Sequence, residues 1–304
     1  MEFHLFLPQL RLSFDRLVAS ARAAEAAGFG GIVGMDHLVP PGAEAQPMYE
    51  AMVVSTWLAT HTERLAVGSL VLCDAFRHPA VLARQAVSLD HASGGRFELG
   101  LGWGSWDGEF SMFGVGPATP PARVRRVRET LGVLRALWAG ETVDYHGEFH
   151  QLSGAAQAPG PLSRIPVVIG GAGPATLALV REFADWWNVQ VTQLHRLEQA
   201  REQVGSARVS VQQMVAYVGD EASRAAVTET ATRRFGAMQP VIGTGPELAD
   251  HFGRLGDRGV ERVYAWFCDF APPDTLAAFG AEVIAPLAAG DAPSTAAGRE
   301  GARR

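Results

Sequence analysis

The chain contains no lysine; all 26 of its basic residues are arginine. That absence excludes several chemistries at once. A Schiff-base aldolase or a pyridoxal enzyme needs a lysine amine. A Walker A loop needs the lysine that reaches the phosphates, and a protein kinase needs its strand lysine. Cysteine is scarce as well: Cys73 and Cys268 are the only 2, too few for a disulfide framework and in keeping with a reducing, cytoplasmic compartment. No run approaches the ~18 apolar residues of a membrane span. The start, MEFHLFLPQL, has neither a basic n-region nor a cleavage signal, so no secretory leader is expected. The net charge of −6 is scattered, which leaves no basic footprint for nucleic acid. The densest basic stretch, Arg123, Arg125, Arg126 and Arg128, reads as the solvated face of a helix.

What is present is a chain of 304 residues, 47% of them hydrophobic, enough for one large α/β domain of about 250 residues or two smaller ones. Short apolar runs at 3–8, 31–35, 65–73, 96–102, 165–170, 186–191, 208–218 and 262–267 alternate with helical patterns. Gly28 and the Gly94–Gly95 pair supply helix stops. Strand–helix alternation of this kind implies a parallel sheet. The number of units predicts a single α/β domain over 1–289, a (β/α)8 TIM barrel with a loop insertion around 140–164. The tail from Gly290, GDAPSTAAGREGARR, is small, polar and basic, and is expected to lie outside the fold as a disordered segment.

A barrel carries its site at the C-terminal ends of its strands. The second strand ends in Asp36–His37, a carboxylate beside an imidazole. This is either an acid/base or cofactor-orienting pair, or a loop cap followed by a surface histidine. The third ends in Cys73–Asp74–Ala75–Phe76–Arg77–His78–Pro79. Pro79 suits the first turn of a helix, Arg77 is an anion ligand or, more commonly, an ion-pair partner, and Cys73 reads as a small core filler. The fourth runs into Gly102–Trp103–Gly104–Ser105–Trp106–Asp107–Gly108–Glu109. Its alternating glycines would let a flat ligand approach the backbone, with Trp103 and Trp106 as walls; otherwise it is a tight turn with packed tryptophans. The fifth ends in Gly170–Gly171–Ala172–Gly173 before a helix, a ready phosphate site that lacks the third glycine of the dinucleotide fingerprint. His146, Glu148 and His150 have the wrong spacing and context for a zincin, so no metal is expected.

In order, FLPQ, GFGGIVGMDH, LAVGSLVL, FRHPAVLARQAVSLDHASGGRFELGLG, EFSMFG, LWAGETVDYHGEFH, IPVVIGG, FADWW and GTGPELADHFGRLGDRGVERV resemble the luciferase-like flavin and deazaflavin oxidoreductase superfamily, over about residues 2–288. The Asp36–His37 pair and the short chain resemble its coenzyme F420-dependent branch. The resemblance implies that Asp36 contacts the deazaflavin and that His37, near the reactive ring face, moves a proton. It implies a strand-three bulge near Ser69, Leu70 and Val71, often with a non-prolyl cis peptide, backing the ring. It further implies that Trp103, Gly104 and Ser105 lie by the cofactor, and that Gly170, Gly171, Ala172 and Gly173 hold its phosphate. Phe76 and Trp106 would line an apolar or aromatic substrate pocket. Two departures count against a sugar phosphate as substrate. Ser105 stands where the sugar-phosphate dehydrogenases carry a glutamate, and no lysine is available to bind the phosphate. Asp107 or Glu109 could assist His37, although a Glu before an aromatic at this point is often structural in the superfamily. The branch implies hydride transfer between F420 and a small organic substrate. The alternatives are an FMN-dependent monooxygenase using reduced flavin, O2 and a separate flavin reductase, or a flavin-binding relative without catalysis. The resemblance also implies a homodimer, for which the apolar helices after strands two and three could supply an isologous face.

Overall fold

The computed structural model describes residues 1–116 and 119–290. Eight parallel strands form the barrel: β1 (Glu2–Phe6), β2 (Gly31–Gly34), β3 (Ala66–Ser69), β4 (Phe97–Gly102), β5 (Val167–Gly170), β6 (Trp186–Gln190), β7 (Arg208–Tyr217) and β8 (Arg262–Phe267). Neighbours pair in sequence order, and β8 returns to β1 through Val263↔Phe3 to close the ring. The helices around it include α1 (Phe14–Ala26), α2 (Ala51–His61), α3 (Pro79–Ser93), α4 (Asp107–Phe113), α5 (Pro120–Trp138), α6 (Pro174–Phe183), α7 (Leu197–Arg201) and α8 (Arg224–Phe235). Local chemistry sets their ends. The Ser13 side chain accepts from the Arg16 amide to start α1. His78 caps α3, Pro79 occupies its first turn, and Gly94 ends it at φ 67°, a conformation that only glycine reaches cheaply.

The lumen is layered. Near the N-terminal ends, Arg262 reaches Glu98 at 2.7 and 3.1 Å and Glu2 at 2.8 Å, and lies 3.8 Å from the Trp186 ring centre. Near the C-terminal ends, Phe6, Val33 and Tyr264 form a small apolar cluster, with Met35, Leu70 and Trp266 packed on it. Phe6 and Trp266 lie 4.8 Å apart, centre to centre. The mouth therefore has a hydrophobic floor. No helix among the described residues is long and apolar enough to cross a membrane.

Several expectations need correction. The stretch at 140–164 is not only loop: Val143–His146 and Gln151–Ala155 pair as an antiparallel hairpin. β7 is 10 residues long, and its end pairs with an added strand, Val241–Gly243. The third strand, read as one run over 65–73, carries the interruption that the resemblance implies near Ser69, Leu70 and Val71. It stops at Ser69, passes a cis Leu70–Val71 peptide, and resumes as Leu72–Cys73 beside the end of β4. Gly100 and Gly102 of β4 leave room for that irregularity. A Cβ on Gly100 would lie 2.0 Å from the Ser69 carbonyl oxygen, and one on Gly102 would lie 2.6 Å from the Val71 side chain. Nor is the arginine cluster wholly solvated. Arg123 is 2% exposed and stacks 3.6 Å over Phe110, while Arg126 pairs with buried Asp74. A weakly hydrated, planar guanidinium tolerates such burial. The expected disordered tail falls at residues 291–304, outside the described residues, and only its first residue, Gly290, lies within them.

Candidate active site

After β2 the chain leaves the barrel through Met35, Asp36 and His37. Gln9, just beyond β1 and 1% exposed, pins this turn. Its Oε1 accepts from the Met35 amide at 3.1 Å, and its Nε2 donates to the carbonyls of Met35 at 2.5 Å and Tyr49 at 3.1 Å. Asp36 is buried. One carboxylate oxygen accepts from the Cys73 amide at 2.7 Å and from Arg77 Nη1 at 2.6 Å, and the other accepts from Arg77 Nη2 at 2.9 Å. Arg77 continues to Glu50. Asp36 thus joins the end of β2 to the turn after β3, with Arg77 as an ion-pair partner. The Cys73 thiol is buried, and burial pushes it up to about 12, which makes it inert as a nucleophile at neutral pH.

His37 has a second carboxylate to itself. Its Nδ1 lies 3.0 Å from Glu109 Oε2. The other oxygen of Glu109 accepts from the Leu38 amide at 2.5 Å and from the Val39 amide at 3.4 Å. Glu109 is 2% exposed and sits in the first turn of α4, where the helix dipole favours an anion. A carboxylate at Nδ1 selects the tautomer with its proton there. Nε2 is left with no partner among the described residues, on a side chain that is 22% exposed. It can accept a proton when the ring is neutral and donate one when it is charged. Asp107 turns away from His37 to pair with Arg123 at 2.7 Å.

The remaining predicted positions divide. Ser69 is buried at the end of β3, and its Oγ has no hydrogen-bond partner among the described residues. The adjacent Leu70 packs on the apolar cluster of the mouth. Trp103 is partly buried against the main core, Gly104 has φ 77° beside Phe110 and Cys73, and Ser105 is exposed. Trp106 folds over Gly108 at the start of α4, and the Phe76 ring lies 6.3 Å from that of Phe110. The Gly170–Gly173 turn opens α6. Asn188 accepts from the Gly171 amide at 3.1 Å, and the Trp187 indole donates to the Gly171 carbonyl at 2.8 Å. Nothing lies within 4 Å of a Cβ built on Gly173, so this turn is an open cradle. Phe6 and Gln9 fell within the FLPQ motif without being given a role, and Trp266 was not singled out from the sequence. The period-2 alternation Arg262–Tyr264–Trp266 carried the signal for Trp266, whereas Gln9 had only its place at a strand end and in that motif.

His146, Glu148 and His150 each have other partners. His146 bonds Gln151, Glu148 pairs with Arg125, and His150 is buried on Thr130 at 2.9 Å. Burial, aided by Arg126, lowers the His150 imidazole to about 4.

Comparison with known proteins identifies the frame in which this geometry sits. The family model described as "Luciferase-like monooxygenase" matches residues 1–258. An F420-dependent glucose-6-phosphate dehydrogenase from Microbacterium testaceum is 32% identical over 163 residues, 53% of this chain and 48% of that protein. The chain spans between about half and two thirds of the length of such curated relatives. A solved F420-dependent secondary alcohol dehydrogenase, in complex with an F420-acetone adduct, superposes with a TM-score of 0.79 at 16% identity, covering 93% of this chain and 98% of that one. The monooxygenase RslO1 from Streptomyces bottropensis also reaches 0.79, at 17% identity, covering 94% and 99%. At these identities the structural likeness speaks for the fold alone.

Proposed function

We propose that this chain, which belongs to the luciferase-like monooxygenase family, is an F420-dependent oxidoreductase moving a hydride between the coenzyme and a small apolar or aromatic substrate. The observation that carries the reading is the His37–Glu109 pair at the end of β2, a proton-moving group held in one tautomer beside an apolar floor. The relative named as an F420-dependent dehydrogenase supports the choice of coenzyme. When bound, the deazaflavin supplies the hydride chemistry. The chain's own residues do the rest.

The site suits such a group. Phe6, Leu70 and Trp266 offer a face for a flat ring, and Ser69 Oγ is a buried polar atom without a partner among the described residues. The Gly170–Gly173 cradle, at the N-terminus of α6, would hold a phosphate. Asp36 acts through Arg77 and the Cys73 amide, shaping the turn that carries His37. His37 Nε2 takes or gives the proton that accompanies the hydride. A sugar phosphate is disfavoured as substrate. The chain has no lysine, Ser105 stands in place of a glutamate, and Arg77 and Arg126 are each locked on a buried carboxylate.

Tryptophan quenching during titration with F420 and with FMN, each oxidised and reduced, tests the reading. Micromolar binding of F420 with negligible FMN binding is expected. His37→Ala should keep that affinity and lose turnover. A preference for reduced FMN, with oxygen consumed, would replace the F420 reading.

The working form is a cytoplasmic homodimer. Tyr49, Val53 and Trp57, at and along α2, and Val81 of α3 are 41–59% exposed, an apolar surface that a second copy would cover. Trp57→Asp should yield monomers in sedimentation.

A further inference from the structure

On the outer wall of the barrel, away from the strand ends that carry His37, α5 and α6 part around a cavity of about 420 Å³. Its floor is the start of the fifth strand, Ile165 and Val167. Its walls are Leu134 and Trp138 of α5 and Phe183 at the end of α6. Ligand pockets typically run from about 300 to 1,000 Å³ and are apolar with a few placed polar groups.

The polar groups sit at its edge. The Arg135 guanidinium lies 4.6 Å over the Phe183 ring and donates to the Glu182 carbonyl at 2.9 Å; no carboxylate faces it among the described residues. Arg164, 76% exposed, reaches Asp185 at 2.6 Å. The other oxygen of Asp185 accepts from the Val167 amide at 2.9 Å. Two guanidiniums and one carboxylate leave one positive charge unbalanced beside an aromatic cleft.

We propose that this cavity is a second ligand site, which binds a small aromatic carboxylate of one or two rings. The ring lies between Trp138 and Phe183, and the carboxylate is held by Arg135 and Arg164. Guanidinium recognises a carboxylate through paired hydrogen bonds and tolerates stacking on a ring.

The test is calorimetric titration of the full chain with 1-naphthoate and with its uncharged analogue 1-naphthalenemethanol. Saturable binding of the acid is expected, at least about tenfold tighter than the alcohol. Arg135→Gln combined with Arg164→Gln, both changes at the rim, should erase that difference. Leu134→Trp, which fills the cavity, should abolish binding of both compounds. Three results would each overturn the proposal: no saturable binding, equal affinity for acid and alcohol, or binding that survives Leu134→Trp. None of them bears on F420 binding at the mouth.

Discussion

Replacing Glu109 by Gln tests the proposed proton path most directly. The carboxylate takes three donors: His37 Nδ1 at 3.0 Å, the Leu38 amide at 2.5 Å and the Val39 amide at 3.4 Å. The carboxamide oxygen of Gln can keep the two amides. Its NH2 then faces Nδ1, donor against donor, unless the imidazole moves its proton to Nε2. That exchange leaves neutral His37 unable to accept a proton at the atom facing the mouth. General acid–base catalysis is worth roughly 10²–10⁴-fold, so kcat should fall by about 100-fold or more. KM should change little, because Glu109 itself faces the turn. Losing a charged acceptor should cost about 1.5–3 kcal/mol of stability. The assay is single-turnover hydride transfer with the fastest alcohol or ketone found in a screen, alongside ¹⁵N shifts of His37 that report the tautomer. An inverted tautomer with turnover within about threefold of the parent would refute the role of Nε2. An unchanged tautomer would refute the role of Glu109.

Four further outcomes follow from the structure. Gly100→Ala would place a Cβ 2.0 Å from the Ser69 carbonyl oxygen and should prevent folding, as read by circular dichroism. Gly173→Ala meets nothing within 4 Å; its stability should stay within about 1 kcal/mol, while F420 affinity drops as the cradle fills. Arg77→Ala leaves buried Asp36 without its bidentate partner and should destabilise the fold by about 3–5 kcal/mol in urea titration. The depressed His150 makes stability fall as the pH drops from about 6.5 to about 4. In that window the unfolded chain takes up a proton that the folded chain refuses, and above it both forms are neutral. His150→Asn should flatten the slope.

How much of this was legible in advance depended on the range of the interactions. The eight strands and their helices were readable because each announces itself within a few residues. An apolar run, a Pro79 at a helix start and a Gly94 at a helix end are local events. The 143–155 hairpin was missed because its two strands are short, with mixed exposure and no clear alternation. The glycines of β4 were visible, but the strand that Gly100 and Gly102 accommodate lies some 30 positions earlier in sequence order and was not. Asp36 and His37 stood out as a pair, and Glu109 and Arg77 stood among the candidates, but nothing local chose Glu109 over Asp107 for His37 or tied Arg77 to Asp36. Glu109 lies 72 positions from His37 and Arg77 lies 41 from Asp36, and no spacing rule links them.

By itself, then, the sequence determined the barrel, the end of it that would carry chemistry, and the reactions closed to a chain without lysine. Propensity, periodicity and residue inventory are properties of short segments and of composition, and they survive without coordinates. Only the tertiary structure decided which carboxylate orients His37 and which is locked on Arg77, that Arg123 and Arg126 are internal, and that α5 and α6 leave a cavity between them. Those outcomes depend on side chains from distant segments competing for the same few ångströms, and closing the ring of strands is what brings them together.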